Sequence, residues 1–339
     1  MARKREIFPI RVLIQMIVIP VLIIVIALGY MFCVQSTVKN DSVYSISRGD
    51  TVSGTATQLV RRGLVDSEQV FKMSVRLNGG QIQSGEYDIP AGASSWHIAR
   101  MFAQGDVAAT TVVIPEGLTI IQIKNLLLNA PGLSGGVECA ADNMALVCGL
   151  RDGDIFPDTY RVAKGTARLA VLELARKKMV SVKEAWGKTN RRLPKPLRDW
   201  NDVITLASIV QKETPQAREM PIVASVYLNR LNKGMRLQAD PTVVYALTGG
   251  LGDMQGAPLL RGHLKIESPY NTYRNAGLPP APIANVGQNA IRAVLNPADT
   301  NYLFFVADGQ GGHKFARDYE THMKNHNDWR VIKKIKNKN

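Results

Sequence analysis

The chain has 339 residues, 45% of them apolar, and carries a formal net charge of +14. The apolar share excludes wholesale disorder, and the length allows a substantial core in one to three domains. Such a basic surface attracts polyanions: nucleic acid, acidic lipid headgroups or a polymer bearing carboxylates.

The first eleven residues hold Arg3, Lys4, Arg5 and Arg11 against the single acid Glu6. An uncharged run of Ile, Val, Leu and Met follows from Val12 to Val34. At ~1.5 Å rise per residue that run is long enough to cross a ~30 Å hydrocarbon core, so residues 12–34 are expected to form a transmembrane helix. The basic flank keeps residues 1–11 cytoplasmic and sends residues 35–339 to the exported side. A cleaved signal peptide is the rival, but the run exceeds a usual h-region and Met31 to Gln35 offers no small-x-small cleavage site. Export removes nucleic acid as the partner of the basic surface. It also places Cys139 and Cys148 where a disulfide can form, with two buried thiols as the other reading. Cys33 falls inside the expected span.

After the span one pattern occurs three times: Ile46 to Thr51, Ile89 to Ser94 and Ile114 to Thr119. Each is a strand end, a glycine turn and a Ser, Thr or Asp placed to cap a helix. The amphipathic stretches that follow run to Arg62, Phe102 and Leu128. Small α/β modules follow from this, not a long parallel sheet. The first unit, with its Gly49-Asp50-Thr51 turn, resembles the opening of a LysM module, which implies glycan binding. The same local solution also serves any α/β turn. Downstream, Leu169–Met179 predicts a helix, Arg191 to Lys195 a linker, and Val203–Val210 an apolar helix capped by Asp202. A helix is expected from Pro221 to Asn232, stopped by Gly234, and another from Asp240-Pro241. Tyr302–Val306 and Lys314-Phe315 predict a hairpin, and Lys333–Asn339 a frayed basic tail.

Leu206 to Thr214 is the stretch richest in chemical content. A nearly all-apolar helix ends in Glu213, with Pro215 close behind. A carboxyl group leaving a buried helix near its negative dipole end should hold its proton more tightly, as a general acid requires. An ordinary solvated C-terminal Glu is the alternative.

Several segments, in order, then resemble the endolytic murein transglycosylases of the MltG (YceG-like) type. They are Phe156 to Tyr160; Ala207 to Val210 with Lys212-Glu213; Val223 to Val226 with Asn229 to Leu231; Met235 to Gln238 with Asp240 to Thr242; Tyr270 to Tyr273; Gly277 to Pro280; and Tyr302 to His313. The resemblance implies an α/β (α+β) protein with a single N-terminal transmembrane helix. A LysM-like module is expected at 35–120, a mixed α/β lytic transglycosylase domain at 121–330 and a basic tail at 331–339. It implies that Glu213 is the catalytic acid; members often carry a further Glu where this chain has Gln211. One carboxyl group suffices for such an enzyme, because the C6 hydroxyl of N-acetylmuramic acid is the nucleophile and a 1,6-anhydro end results. Neither a metal nor an organic cofactor is implied. The implied partners are peptidoglycan glycan strands, the inner membrane and, on the exported side, the peptidoglycan synthases.

Gln238, Asp240, Asn271 and Tyr273 match family segments and are candidate sugar ligands. Asp240 is equally explained as a helix cap, and Asn271 as a turn residue. Asn229 and Arg230 suit structural roles. His322 and His326 stand four apart, a spacing metal ligands use, but no other ligand sequence accompanies them. Two further readings stand beside the transglycosylase. One is a hydrolytic muramidase using Glu213 with Asp240; the other is a non-catalytic glycan-binding scaffold.

Overall fold

The computed structural model describes residues 18–23, 29, 38–138, 149–189, 191–252, 254 and 257–336. The expected span at 12–34 falls outside these except for residues 18–23 and 29, and the Cys139–Cys148 question falls outside them entirely. Among the described residues no helix is long and apolar enough to cross a membrane. Contacts divide the chain into two units, the first ending at Thr110 and including Ala163–Gly165, the second holding Thr111–Val162 and Thr166–Asn339.

The first unit is built from β1 (Ser42–Ile46), α1 (Val52–Arg61), α2 (Glu68–Leu77), β2 (Gly85–Ile89) and α3 (Ser95–Gln104). The strands pair antiparallel with Tyr44 opposite Tyr87. The expected caps form: the Thr51 and Ser94 hydroxyls accept from Gly54 N–H at 3.1 Å and His97 N–H at 3.2 Å. Phe102 centres the core, its ring 4.5 Å from that of Tyr87 and 5.7 Å from that of Tyr44. Helix α2 was not expected from the pattern. It packs Phe71 and Val75 into this core, so one strand pair serves three helices.

The second unit begins within β3 (Ala109–Val113) and goes on with α4 (Ile120–Asn129), β4 (Leu133–Ser134), β5 (Thr159–Ala163) up to Val162, β6 (Thr166–Ala167) and α5 (Arg168–Gly187). Strand β3 pairs with β5, and β4 with β6. The third strand–turn–helix unit therefore lies here: Thr119 caps α4 in a reciprocal capping box with Gln122. Then come α6 (Trp200–Glu213), α7 (Met220–Asn232), α8 (Asp240–Thr248), α9 (Gln288–Leu295), the antiparallel hairpin β7 (Phe304–Ala307) and β8 (His313–Ala316), and α10 (Tyr319–Lys336). Helix α6 is the centre of the larger core. Asp202 through Val210 are all buried, so it is covered on every face, with α7 and α9 against it.

Two expectations need correction. Asp199 caps α6, its carboxylate accepting from Asp202 N–H at 2.9 Å. Asp202 sits inside the first turn, where the Arg198 guanidinium donates to it at 2.9 Å and holds its carboxyl below the ordinary value. A nearby basic side chain thus moved the start of the helix back by three residues. Helix α10 continues to Lys336, past the expected start of the tail at Lys333, and residues 337–339 lie outside the described residues.

Candidate active site

Glu213 is the last residue of α6, and Thr214 ends the helix by donating its N–H to Val210 C=O at 3.3 Å. The carboxyl group lies in a cleft of about 340 Å³ within the second unit, together with Thr119, Gln122, Lys212, Asp240, Val244 and Tyr245. Its Oε1 accepts a 2.7 Å hydrogen bond from the Tyr227 hydroxyl, carried by α7. Burial pushes the Glu213 carboxyl up to about 7, from an ordinary 4.5. The Tyr227 hydrogen bond opposes this rise, the negative charge of Asp240 adds to it, and Arg230 opposes it again. A carboxyl group with this proton affinity is protonated in a useful fraction near neutrality and can also serve as a base once ionised.

Tyr227 is buried, and burial raises its own ionisation well above the ordinary value of 10, so it remains a hydrogen-bond donor. Its ring meets Phe305 of β7 edge-on at 5.8 Å. Arg230, one helical turn further along α7, is buried and donates to the carbonyls of Leu303 at 2.6 Å and Leu237 at 2.5 Å. Those bonds tie the segment before α8 and the start of the hairpin to α7, as a structural role requires. Asn229 does the same through Thr300 C=O at 2.7 Å.

The turn beyond Glu213 is held from a second direction. The Thr214 hydroxyl donates to Glu219 Oε2 at 3.4 Å, and the same oxygen lies 2.8 Å from His313 Nδ1 on β8. Behind the cleft, Asn285 is fully buried. Its Oδ1 accepts from Gly153 and Ile155 N–H, both at 3.0 Å, and its Nδ2 donates to Leu118 C=O at 3.0 Å. It fixes the loops that present Thr119 and Asp152. Asp152 is buried and accepts from the Tyr245 hydroxyl at 2.7 Å; burial holds its carboxyl above the usual range.

The candidate sugar ligands separate into groups. Asp240 lines the cleft with Glu213 but does not cap α8: Ala239 occupies the cap position and Asp240 is the first helical residue. Its Oδ1 accepts instead from the Tyr273 hydroxyl at 2.6 Å. Asn271 is the turn residue of its two readings. It is fully buried, with Nδ2 donating to Leu264 and Ile266 C=O and Oδ1 accepting from Tyr273 N–H, so both ends of its amide are engaged within the fold. Gln238 is exposed and has φ of +49°, the left-handed region that a non-glycine side chain rarely occupies. Its N–H donates to Thr272 C=O at 3.1 Å, and Ala239 N–H to Thr272 Oγ1 at 3.0 Å, so the 271–273 turn clamps the loop that carries Gln238 and Asp240. Local sequence did not signal Tyr227, Tyr245, Asp152 or Asn285, because each acts on a partner 14 to 167 residues away.

The His322 and His326 rings lie 6.5 Å apart on α10. They continue an aromatic ladder in which Phe304 stacks on His322 at 5.1 Å and His326 lies 5.6 Å from Trp329. Among the described residues no three His, Cys, Asp or Glu side chains gather as a metal site would need.

Known proteins match this chain in sequence over most of its length. A Bacillus subtilis protein named endolytic murein transglycosylase is 29% identical over 304 residues, covering 83% of this chain and 82% of its own. A Streptococcus pneumoniae protein of the same name is 26% identical across 88% of this chain, which spans 61% of that longer relative. The crystal structure of the yceG-like protein lmo1499 from Listeria monocytogenes superposes with a TM-score of 0.50 at 26% identity, covering 84% of this chain and 98% of that one. The sequence profile of the YceG-like family matches residues 44–328, and the chain belongs to that family.

Proposed function

We propose that this chain is an endolytic lytic transglycosylase that cleaves the bond between N-acetylmuramic acid and N-acetylglucosamine within peptidoglycan strands, leaving 1,6-anhydro ends. The observation that carries the reading is the Glu213 carboxyl, pushed up by burial to about 7 in a cleft whose second carboxylate, Asp240, accepts from the Tyr273 hydroxyl. With Tyr227 engaged on Oε1, the transferable proton resides on Oε2. Glu213 gives that proton to the glycosidic oxygen as the bond to C1 breaks. The resulting carboxylate then takes the proton of the C6 hydroxyl, whose oxygen closes on C1. Proton and electron pairs balance without water, and Glu213 returns to its starting state. The names of the relatives and the family membership support the same reaction.

In this reading residues 12–34 anchor the protein in the inner membrane and residues 35–339 face the exported side, where the synthases lay down new strands. The front part, 35–120, acts as a LysM-like module that retains the glycan. A carbonate wash should leave the full-length protein in the membrane fraction; a shortened soluble form would refute the anchor.

Asp240 in the same cleft gives the hydrolytic muramidase its one favourable observation. Mass spectrometry of products from purified strands separates the two. Anhydro ends, lighter by one water, support the transglycosylase; borohydride-reducible ends support the muramidase; no new ends leave a glycan-binding scaffold.

A further inference from the structure

Gln122 of α4 lines the catalytic cleft, yet the proton transfers of Glu213 make no use of it. Its amide is oriented from behind. Thr119 N–H donates to Gln122 Oε1 at 3.0 Å, and Gln122 N–H donates to the Thr119 hydroxyl at 3.3 Å. A backbone N–H can only donate, so the amide oxygen must face Thr119 and Nε2 is the outward end. Nε2 has no hydrogen-bond partner among the described residues. Across from it Gly252, also in the cleft wall, has φ of +123° and no side chain; a Cβ there would collide with Nε2. The capping box itself does not call for glutamine, because a Glu at this position accepts the cap N–H equally well. What Gln122 adds is a donor.

The start of α4 sits against the last turn of α6. Lys212 Nζ donates to Gly117 C=O at 3.4 Å, and Glu213 is the next residue. The Thr119 hydroxyl donates to Gly250 C=O and so ties down the turn after α8. Pro241, Val244 and Ile283 give the same cleft an apolar surface. Besides Glu213 its charged groups are Lys212 and Asp240, one of each sign, so charge selects neither an anion nor a cation. A fixed neutral donor beside apolar surface suits a group that joins an acceptor-only oxygen to a methyl. A hydroxyl could also accept, but it brings a proton for which Nε2 offers no acceptor.

We propose that Gln122 is a specificity-determining residue whose Nε2 donates to the carbonyl oxygen of a sugar 2-acetamido group, with the acetyl methyl toward the apolar wall. The assignment rests on the peptidoglycan reading given above and names the substituent that the cleft recognises.

Gln122→Glu tests it. The change keeps the capping box and the size of the side chain, and it replaces the donor with an acceptor that repels a carbonyl oxygen. Circular dichroism would verify the fold. The full-length protein in detergent, wild type and variant, is assayed on N-acetylated strands and on strands whose amino sugars have been de-N-acetylated. The variant should lose about tenfold or more in kcat/KM on acetylated strands. On de-N-acetylated strands it should lose less, or gain, because their ammonium groups can pair with the new carboxylate. Equal loss on both, as a general effect of charge on Glu213 would give, overturns the proposal, and so does no loss on either. If the wild type cuts neither substrate, the transglycosylase reading itself has failed. Calorimetric titration with the N-acetylglucosamine tetramer then decides Gln122 separately, as it also does if only acetylated strands are cut. Affinity that the variant weakens sustains the assignment, and equal or absent binding rejects it.

Discussion

Changing Glu213 to Gln preserves size and most hydrogen bonding but removes the proton that both half-reactions use. Turnover should fall by ~10²-fold to 10⁴-fold or more, with glycan binding retained, as steady-state rates and a strand-pelleting assay would measure. The neighbours act in opposite directions on the same proton. Tyr227→Phe removes a hydrogen bond that favours the carboxylate, so the alkaline limb of the activity profile should move up in pH from about 7. The loss of one bond to a charged group is worth about 1.5–3 kcal/mol, and kcat should fall in proportion. Asp240→Asn removes a negative charge that favours the protonated form, so the limb should move down. Stopped assays across pH 5–9 would read both shifts. In a muramidase, by contrast, Asp240→Asn would be nearly as damaging as Glu213→Gln.

At the scale of elements, the cleft wall depends on a close fit between the 151–155 loop and α6. Gly153 has φ of +89°, and a Cβ there would lie 2.7 Å from the Ile204 side chain and 2.8 Å from that of Pro282. Gly153→Ala should therefore cost about 1–3 kcal/mol by urea denaturation, more than a change of one methyl group would on open surface. The three strand–glycine–cap–helix units, the hairpin and the apolar helix carrying Glu213 were legible locally, because caps and glycine turns act within a few residues. Helix α2 lacks that local signature: no strand precedes it, and its N-cap Ser67 makes no capping side-chain bond. Asp240 and Asp202 depart from the capping positions their sequence suggests for a related reason. Each looks like a cap in sequence, but Tyr273 and Arg198 claim their carboxylates. Asn271 reads as a candidate ligand because a polar residue between tyrosines carries no sign of its burial in sequence. Glu213 was readable from its helix and from family resemblance; its partners on α7 and behind the cleft were not, since packing alone brings them together.

For the molecule as a whole, the raised affinity of Glu213 for its proton has a sign that stability measurements can follow. Below about pH 4.5 the group is protonated whether the chain is folded or not, and its contribution is fully present. Between 4.5 and about 7 the unfolded chain releases the proton while the native one retains it, so stability falls as pH rises. Above that window the loss is complete. The difference in unfolding free energy between wild type and Glu213→Gln should therefore slope by up to ~1.4 kcal/mol per pH unit inside the window and flatten outside it. Helix α6 has a further consequence, because its nine consecutive buried residues leave it no solvent-facing side along which to open. Amide protons from Val203 to Val210 should exchange with deuterium only when the whole unit unfolds, more slowly than those of α4 or α8. The acid thus stands on a post that does not yield. Admission of a long, stiff polymer must fall to the mobility of the surrounding walls, and breathing in those walls, not in the acid's support, would then set how quickly a strand is threaded and let go.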